Sequence, residues 1–223
     1  MHNFNTGGIP VINFKGHIFD LDGTLIDSMW VWSQIDIDFL SEKGLAVPNN
    51  LHEEITHLSF QQTAEYFRTR FNLTDSIEDI MNYWNDMAYD YYSTKVILKA
   101  GVSDYLNKLK KEGCKIGLAT SNSLPLLEAV LKNNNIYHLF DSITITDEVK
   151  KSKDNPDIYL LSAKKLGLSP NECIVYEDIL AALKGAKAAN MHVAAVYDLA
   201  SESQSTEIKK CCDFYITDYN KLL

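Results

Sequence analysis

Four cysteines, five prolines and ten glycines in 223 residues exclude several structural classes at once. Cys114, Cys173, Cys211 and Cys212 form no C-x-x-C pair. In a chain of this length they read as reduced thiols, not as a disulfide frame. Proline and glycine are too scarce for collagen-like or linker-like sequence. No two of the six histidines have the spacing that puts ligands on one helix face, so no zinc site is expected. Positive charge is also short. Against 30 Asp and Glu stand 21 Lys and Arg, a net charge of −9. That balance argues against a nucleic-acid binder, because neutralising phosphates needs clustered Lys and Arg. An anionic ligand would need a local positive patch or a metal. No apolar run is long enough to cross a bilayer. The opening MHNFNTGGIPVINFKG has no basic region followed by an apolar stretch. No membrane partner and no secretion are expected, and the expected location is the cytoplasm.

What is present is ordinary globular sequence, with 46% apolar and 23% charged residues and ample length for a core. Short apolar runs, HIFD (17–20), KIGLAT (115–120), SITIT (142–146), CIVYED (173–178) and HVAAVY (192–197), read as buried strands, and FYIT (214–217) as a weaker sixth. Helical patterns at about 101–113, 122–134, 155–167 and 179–190 lie between them. This alternation predicts an α/β fold, a Rossmann-like parallel sheet with helices on both faces. One stretch breaks it. From Ser28 to Leu98 no convincing strand is found, Trp32, Ile35, Phe39 and Leu40 fall at helical spacing, and Gly44 is a natural stop. Helices are expected at about 60–71 and 76–94. The expected organisation is therefore an α/β core of 1–27 and 99–223 with a helical unit, 28–98, inserted after the first strand. The tail, 1–13, is polar, with VINF packing as it enters that strand.

Ligand sites of open parallel sheets lie at the C-terminal ends of the strands. There the sequence places Asp20-Leu21-Asp22-Gly23-Thr24, then Thr120-Ser121-Asn122, then Lys150-Lys151-Ser152-Lys153, then Glu177-Asp178. Each group alone has an ordinary reading, such as a solvated loop or a helix cap. Their succession after consecutive strands describes a site for a metal and a phosphate. Carboxylate oxygens suit a hard cation such as Mg²⁺. A carboxylate can attack phosphorus, and a second can protonate the leaving alkoxide and then deprotonate a water. Thr120 and N–H groups at a helix start can hold phosphoryl oxygens, a lysine can neutralise remaining charge, and Gly23 allows a sharp turn.

These residues resemble the haloacid dehalogenase superfamily, in its helical-cap branch. The family's D-x-D-G-T/V is matched by Asp20 to Thr24, its strand-ending Thr or Ser by Thr120, its K-P-x-P-D-x-F/Y by Lys153 to Tyr159, and its E-D pair by Glu177-Asp178. The resemblance implies Asp20 as nucleophile and Mg²⁺ ligand. It implies Asp22 as general acid/base with its backbone carbonyl on the metal, and Thr120 and Lys153 as phosphoryl-binding and charge-stabilising groups. Asp178 and Glu177 would complete the metal site. Ser121, Asn122 and Gly23 are expected to contact the substrate phosphate, and Trp30 and His57 to face the site from the cap.

An aspartate at position 22 points to phosphate esters over dehalogenation. The expected enzyme is a monomeric Mg²⁺-dependent phosphatase acting on a small phosphorylated metabolite, a sugar or polyol phosphate. A phosphomutase similar to β-phosphoglucomutase is the alternative, although Phe60 stands where that branch has an arginine. A non-catalytic module similar to receiver domains is the third. Departures from the family pattern are Asp154 after the lysine, and Ile179 and Ala182 after the E-D pair.

Overall fold

The computed structural model describes residues 13–55 and 58–223. Of VINF, only Asn13 and Phe14 fall within that range, and Phe14 is buried. The chain divides into two units. One is Met29–Lys95; the other combines the chain up to Ser28 with Val96–Leu223.

The chain enters through β1 (Gly16–Phe19) and a short β2 (Ile26–Asp27). The Met29–Lys95 unit follows with α1 (Val31–Glu42), α2 (Leu51–Ile55), α3 (Phe60–Arg70) and α4 (Ile77–Thr94). After β3 (Ile97–Leu98) come α5 (Val102–Lys111), β4 (Lys115–Thr120), α6 (Leu124–Asn133), β5 (Ser142–Ile145) and a one-turn α7 (Thr146–Val149). Next are α8 (Asp157–Leu166), β6 (Cys173–Glu177), α9 (Leu180–Ala188), β7 (His192–Val196), α10 (Ser205–Cys211) and β8 (Phe214–Ile216).

Six strands form one sheet in the order β5-β4-β1-β6-β7-β8, every neighbouring pair parallel. All five residues of β6 and five of the six in β4 are buried, as expected where helices cover both faces. The period-2 alternation of a strand sorts side chains between those faces. Ile18, Ala119, Val175 and Val193 pack with Ile158 and Ala163 of α8 and Leu183 of α9. Phe19 points the other way, stacked on Tyr176 at 4.1 Å and edge-on to Tyr105 of α5. Each fully buried Val, Leu, Ile or Phe among them contributes about 1.5–3 kcal/mol. On that second face His17 shares a hydrogen bond with the Tyr176 hydroxyl at 2.8 Å, and that hydroxyl another with Tyr105 at 2.7 Å. Burial pushes the His17 imidazole down to about 4, so it is neutral and structural.

The strand order reverses at β1. The chain moves outward through β4 and β5, then returns to the other side through β6, β7 and β8. Such a reversal opens a crevice at the C-terminal ends of the central strands. A separate antiparallel pair joins β2 to β3, with Ile26 opposite Leu98 and Asp27 opposite Ile97. Ile97 and Leu98, which the sequence groups with the helical insertion, thus pair within the unit that holds the six-stranded sheet. A two-residue strand carries no period to detect.

The Met29–Lys95 unit is helical. Ser59 and Ser76 start α3 and α4 as capping boxes with Gln62 and Asp79. After α1, Gly44 takes a φ of +70°, the left-handed turn that ends a helix. The core is aromatic, with Phe39, Phe67 and Trp84 mutually in contact and buried. Trp32, which shares the helical spacing of Ile35 and Phe39, is 42% exposed and packs edge-on against Phe60.

Candidate active site

Asp20 follows β1 and donates its backbone N–H to the Tyr176 carbonyl, continuing the pairing one step beyond the strand. The chain then folds tightly. The backbone N–H groups of Thr24, Leu25 and Ile26 all reach the Leu21 carbonyl. Gly23 makes this possible with a φ of +77°. A Cβ there would lie 2.5 Å from Asp178 Oδ2, so the glycine also lets the loop pass against that carboxylate.

Lys153 sits on the loop before α8 and reaches inward. Its Nζ donates to Asp20 Oδ1 at 2.6 Å and also pairs with Glu177 Oε1. All three side chains are buried. The loop is seated by Gly185 of α9, where a Cβ would lie 2.1 Å from the Lys153 carbonyl oxygen. Asp154, beside the lysine, instead accepts from Ser152 and Asn155. Glu177 Oε1 additionally accepts from the Tyr159 hydroxyl at 2.9 Å, while Oε2 is buried without a hydrogen-bond partner among the described residues. Asp178, also buried, accepts from Thr24 Oγ1 at 3.4 Å.

Asp22 is held from two sides. Ser28 Oγ donates to Oδ1 at 2.6 Å and Asn122 Nδ2 to Oδ2 at 2.8 Å. Thr120 ends β4 buried, and its Oγ1 accepts the Asn122 N–H at 3.0 Å. Ser121 lies exposed in the same turn. The ends of β1 and β6 and the loop between α7 and α8 thus bring Asp20, Glu177, Asp178 and Lys153 together, with Asp22, Thr120 and Asn122 in a linked second group. Trp30 belongs to the other unit and stands edge-on to Tyr91 at 5.5 Å. His57 lies outside the described residues.

The electrostatics are those of a dry, anionic pocket. Burial first, then neighbouring charge, raises the carboxyl groups. Asp20 lies above its usual range against the pull of Lys153, Glu177 well above, and Asp178 is pushed up to about 7. Burial alone would lower Lys153, but the Asp20 and Glu177 carboxylates outweigh it and raise it. Three carboxylates face one ammonium, so the pocket lacks positive charge. Carboxylate oxygens of Asp20, Glu177 and Asp178 lie within 4.8 Å of one another. Opposite oxygens on one Mg²⁺ stand about 4.0–4.2 Å apart, so these carboxylates need draw in only slightly to share a cation. The donor set is all oxygen, and the unpartnered Glu177 Oε2 is a buried acceptor awaiting a positive group. These residues fit a hard divalent cation.

Sequence reasoning missed three residues here. The sequence marks Ser28 only as a boundary and Tyr159 only as a motif aromatic, and Gly185 falls in no motif. Gly185 had a signal, since glycine inside a helix costs about 1 kcal/mol against alanine and asks for a reason.

The model of haloacid dehalogenase-like hydrolases matches residues 17–196, from β1 to the end of β7. The chain belongs to this family. This haloacid dehalogenase-like hydrolase is similar to hexitol phosphatase A of Escherichia coli, 32% identical over 196 residues, 87% of this chain and 88% of that protein. It is 27% identical to the phosphorylated carbohydrates phosphatase of Thermotoga maritima over 176 residues, 78% and 81% of the two chains. The crystal structure of β-phosphoglucomutase from Clostridium difficile has the same fold, with a TM-score of 0.69 at 23% identity, covering 94% of this chain and 93% of that one. Among the described residues no helix is long and apolar enough to cross a membrane.

Proposed function

We propose that this hydrolase is a Mg²⁺-dependent phosphatase of a small sugar or polyol phosphate, working through an aspartyl-phosphate on Asp20. The observation that carries the reading is the buried Asp20–Glu177–Asp178 cluster with Lys153 on Asp20. The names of the two relatives support the substrate class.

Asp20, Glu177 and Asp178 would hold the metal. Bound there, Mg²⁺ supplies the positive charge that lets a carboxylate approach a phosphate dianion. Lys153 keeps Asp20 oriented. A carboxylate oxygen of Asp20 forms a bond to phosphorus, and the ester P–O bond breaks with its electron pair on the departing oxygen. Asp22 gives that oxygen a proton and so releases the alcohol. Asp22 then takes a proton from a water, whose oxygen attacks phosphorus and frees Asp20 and inorganic phosphate. Thr120, with the N–H groups of the turn before α6, holds the phosphoryl oxygens, and Ser121 and Gly23 border the same space. Met29–Lys95 serves as the substrate-selecting cap.

The mutase alternative requires a grip on a second phosphate. At the corresponding position Phe60 begins α3, packed against the Trp32 and Trp84 rings. The test is phosphate release from a panel of small esters, with and without Mg²⁺, by the wild type and Asp20→Asn. Mg²⁺-dependent release that vanishes in the variant supports the reading. Conversion of a hexose 1-phosphate to the 6-phosphate without phosphate release replaces it with the mutase.

A further inference from the structure

Tyr159 is fully buried on α8, and its hydroxyl reaches the site only at Glu177. The phenol and the Lys153 ammonium donate to the same oxygen, Oε1. The other oxygen, Oε2, has no partner among the described residues and is shielded from solvent. Two donors on one carboxylate oxygen fix the rotation of the group and spend one end of it. The end left over is a full acceptor in a dry pocket, where an unmet anionic oxygen is costly. Lys153 cannot set this rotation alone, because it is shared with Asp20. The phenol has a single polar atom and its ring is locked in the α8 core.

We propose that Tyr159 is a positioning residue for the divalent cation: its hydroxyl pins Glu177 Oε1 and thereby presents Oε2 to the metal. This rests on the proposed cation site of Asp20, Glu177 and Asp178. Partners that orient a metal-binding carboxylate typically change affinity by 10–100-fold when removed.

The experiment is calorimetric titration of MgCl₂ into the metal-free full-length wild type and Tyr159→Phe, with the metal-free Tm of each measured alongside. Phenylalanine keeps the ring and its packing, so the fold is retained. The expected result is Mg²⁺ binding about tenfold weaker or more in the variant. A Tm change with the Mg²⁺ affinity unchanged within twofold overturns the inference and leaves Tyr159 a core residue, the cation site standing. Absence of Mg²⁺ binding in the wild type overturns the cation site and the inference together.

Discussion

Ser28 Oγ donates to Asp22 Oδ1 at 2.6 Å, and Ser28 is the last residue before the chain passes into the helical unit. The proposed general acid/base is therefore hydrogen-bonded to the joint between the two units. With Asn122 on Oδ2, both oxygens of Asp22 are occupied.

Removing that donor should disturb chemistry more than binding. Ser28→Ala is expected to lower kcat by about tenfold with KM little changed, the scale of one hydrogen bond to a charged group. Steady-state kinetics on the best ester checks this, with Tm as the control for folding.

Lys153→Met takes from the buried carboxylate cluster the one cation that pairs with it among the described residues. In metal-free buffer at pH 8 the variant should be about 3–5 kcal/mol less stable, the usual effect of orphaning a buried charge. Urea unfolding measures it. Added Mg²⁺ should recover part of the loss, because a ligand held by the folded state alone stabilises it.

Asp178 makes stability pH-dependent in a direction opposite to most carboxylates. Its folded pKa is about 7, above the ordinary 3.8, so the folded chain binds more protons than the unfolded chain in that window. Its contribution to stability then falls as pH rises from about 4 through about 7. His17, pushed down to about 4 from 6.5, acts the other way between those values. The comparison that isolates Asp178 is the Tm of Asp178→Asn minus wild type without metal. That difference should grow from pH 5 to pH 8 and shrink in Mg²⁺.

Gly185→Ala should destabilise a helix whose local propensity it improves. The added methyl group would lie 2.1 Å from the Lys153 carbonyl oxygen, a backbone atom. Overpacking of this kind costs about 1–3 kcal/mol. Urea unfolding should show that loss, and phosphate release should fall with it as the Lys153 loop shifts.

The sheet could be read in the sequence because its strands are covered on both faces, which writes them as unbroken apolar runs such as KIGLAT and CIVYE. The helices between them show to within a few residues because their buried residues recur at helical spacing. What escaped were elements too short to have a period, such as Ile97–Leu98 and Thr146–Val149, and α10, where a polar run from Ser201 to Glu207 leaves Ile208 as the lone buried residue of the helix. The chemical groups stand out because all but Lys153, which α7 separates from β5, lie at or directly after a strand end. The residues that orient them do not. Tyr159 reaches Glu177 from 18 positions away, and Gly185 matters through a backbone atom of another element. Only three-dimensional packing brings such pairs together.

The β2–β3 pair holds the two ends of the helical insertion side by side, Asp27 opposite Ile97. The sheet therefore owes none of its connectivity to the residues in between, and a short turn could link the paired ends directly. A chain shortened in that way would still contain every strand of the sheet together with Asp20, Asp22, Thr120, Lys153, Glu177 and Asp178. Every residue proposed here to act on a phosphate ester thus lies outside the inserted segment, and a change of insertion leaves the topology of the sheet as it is.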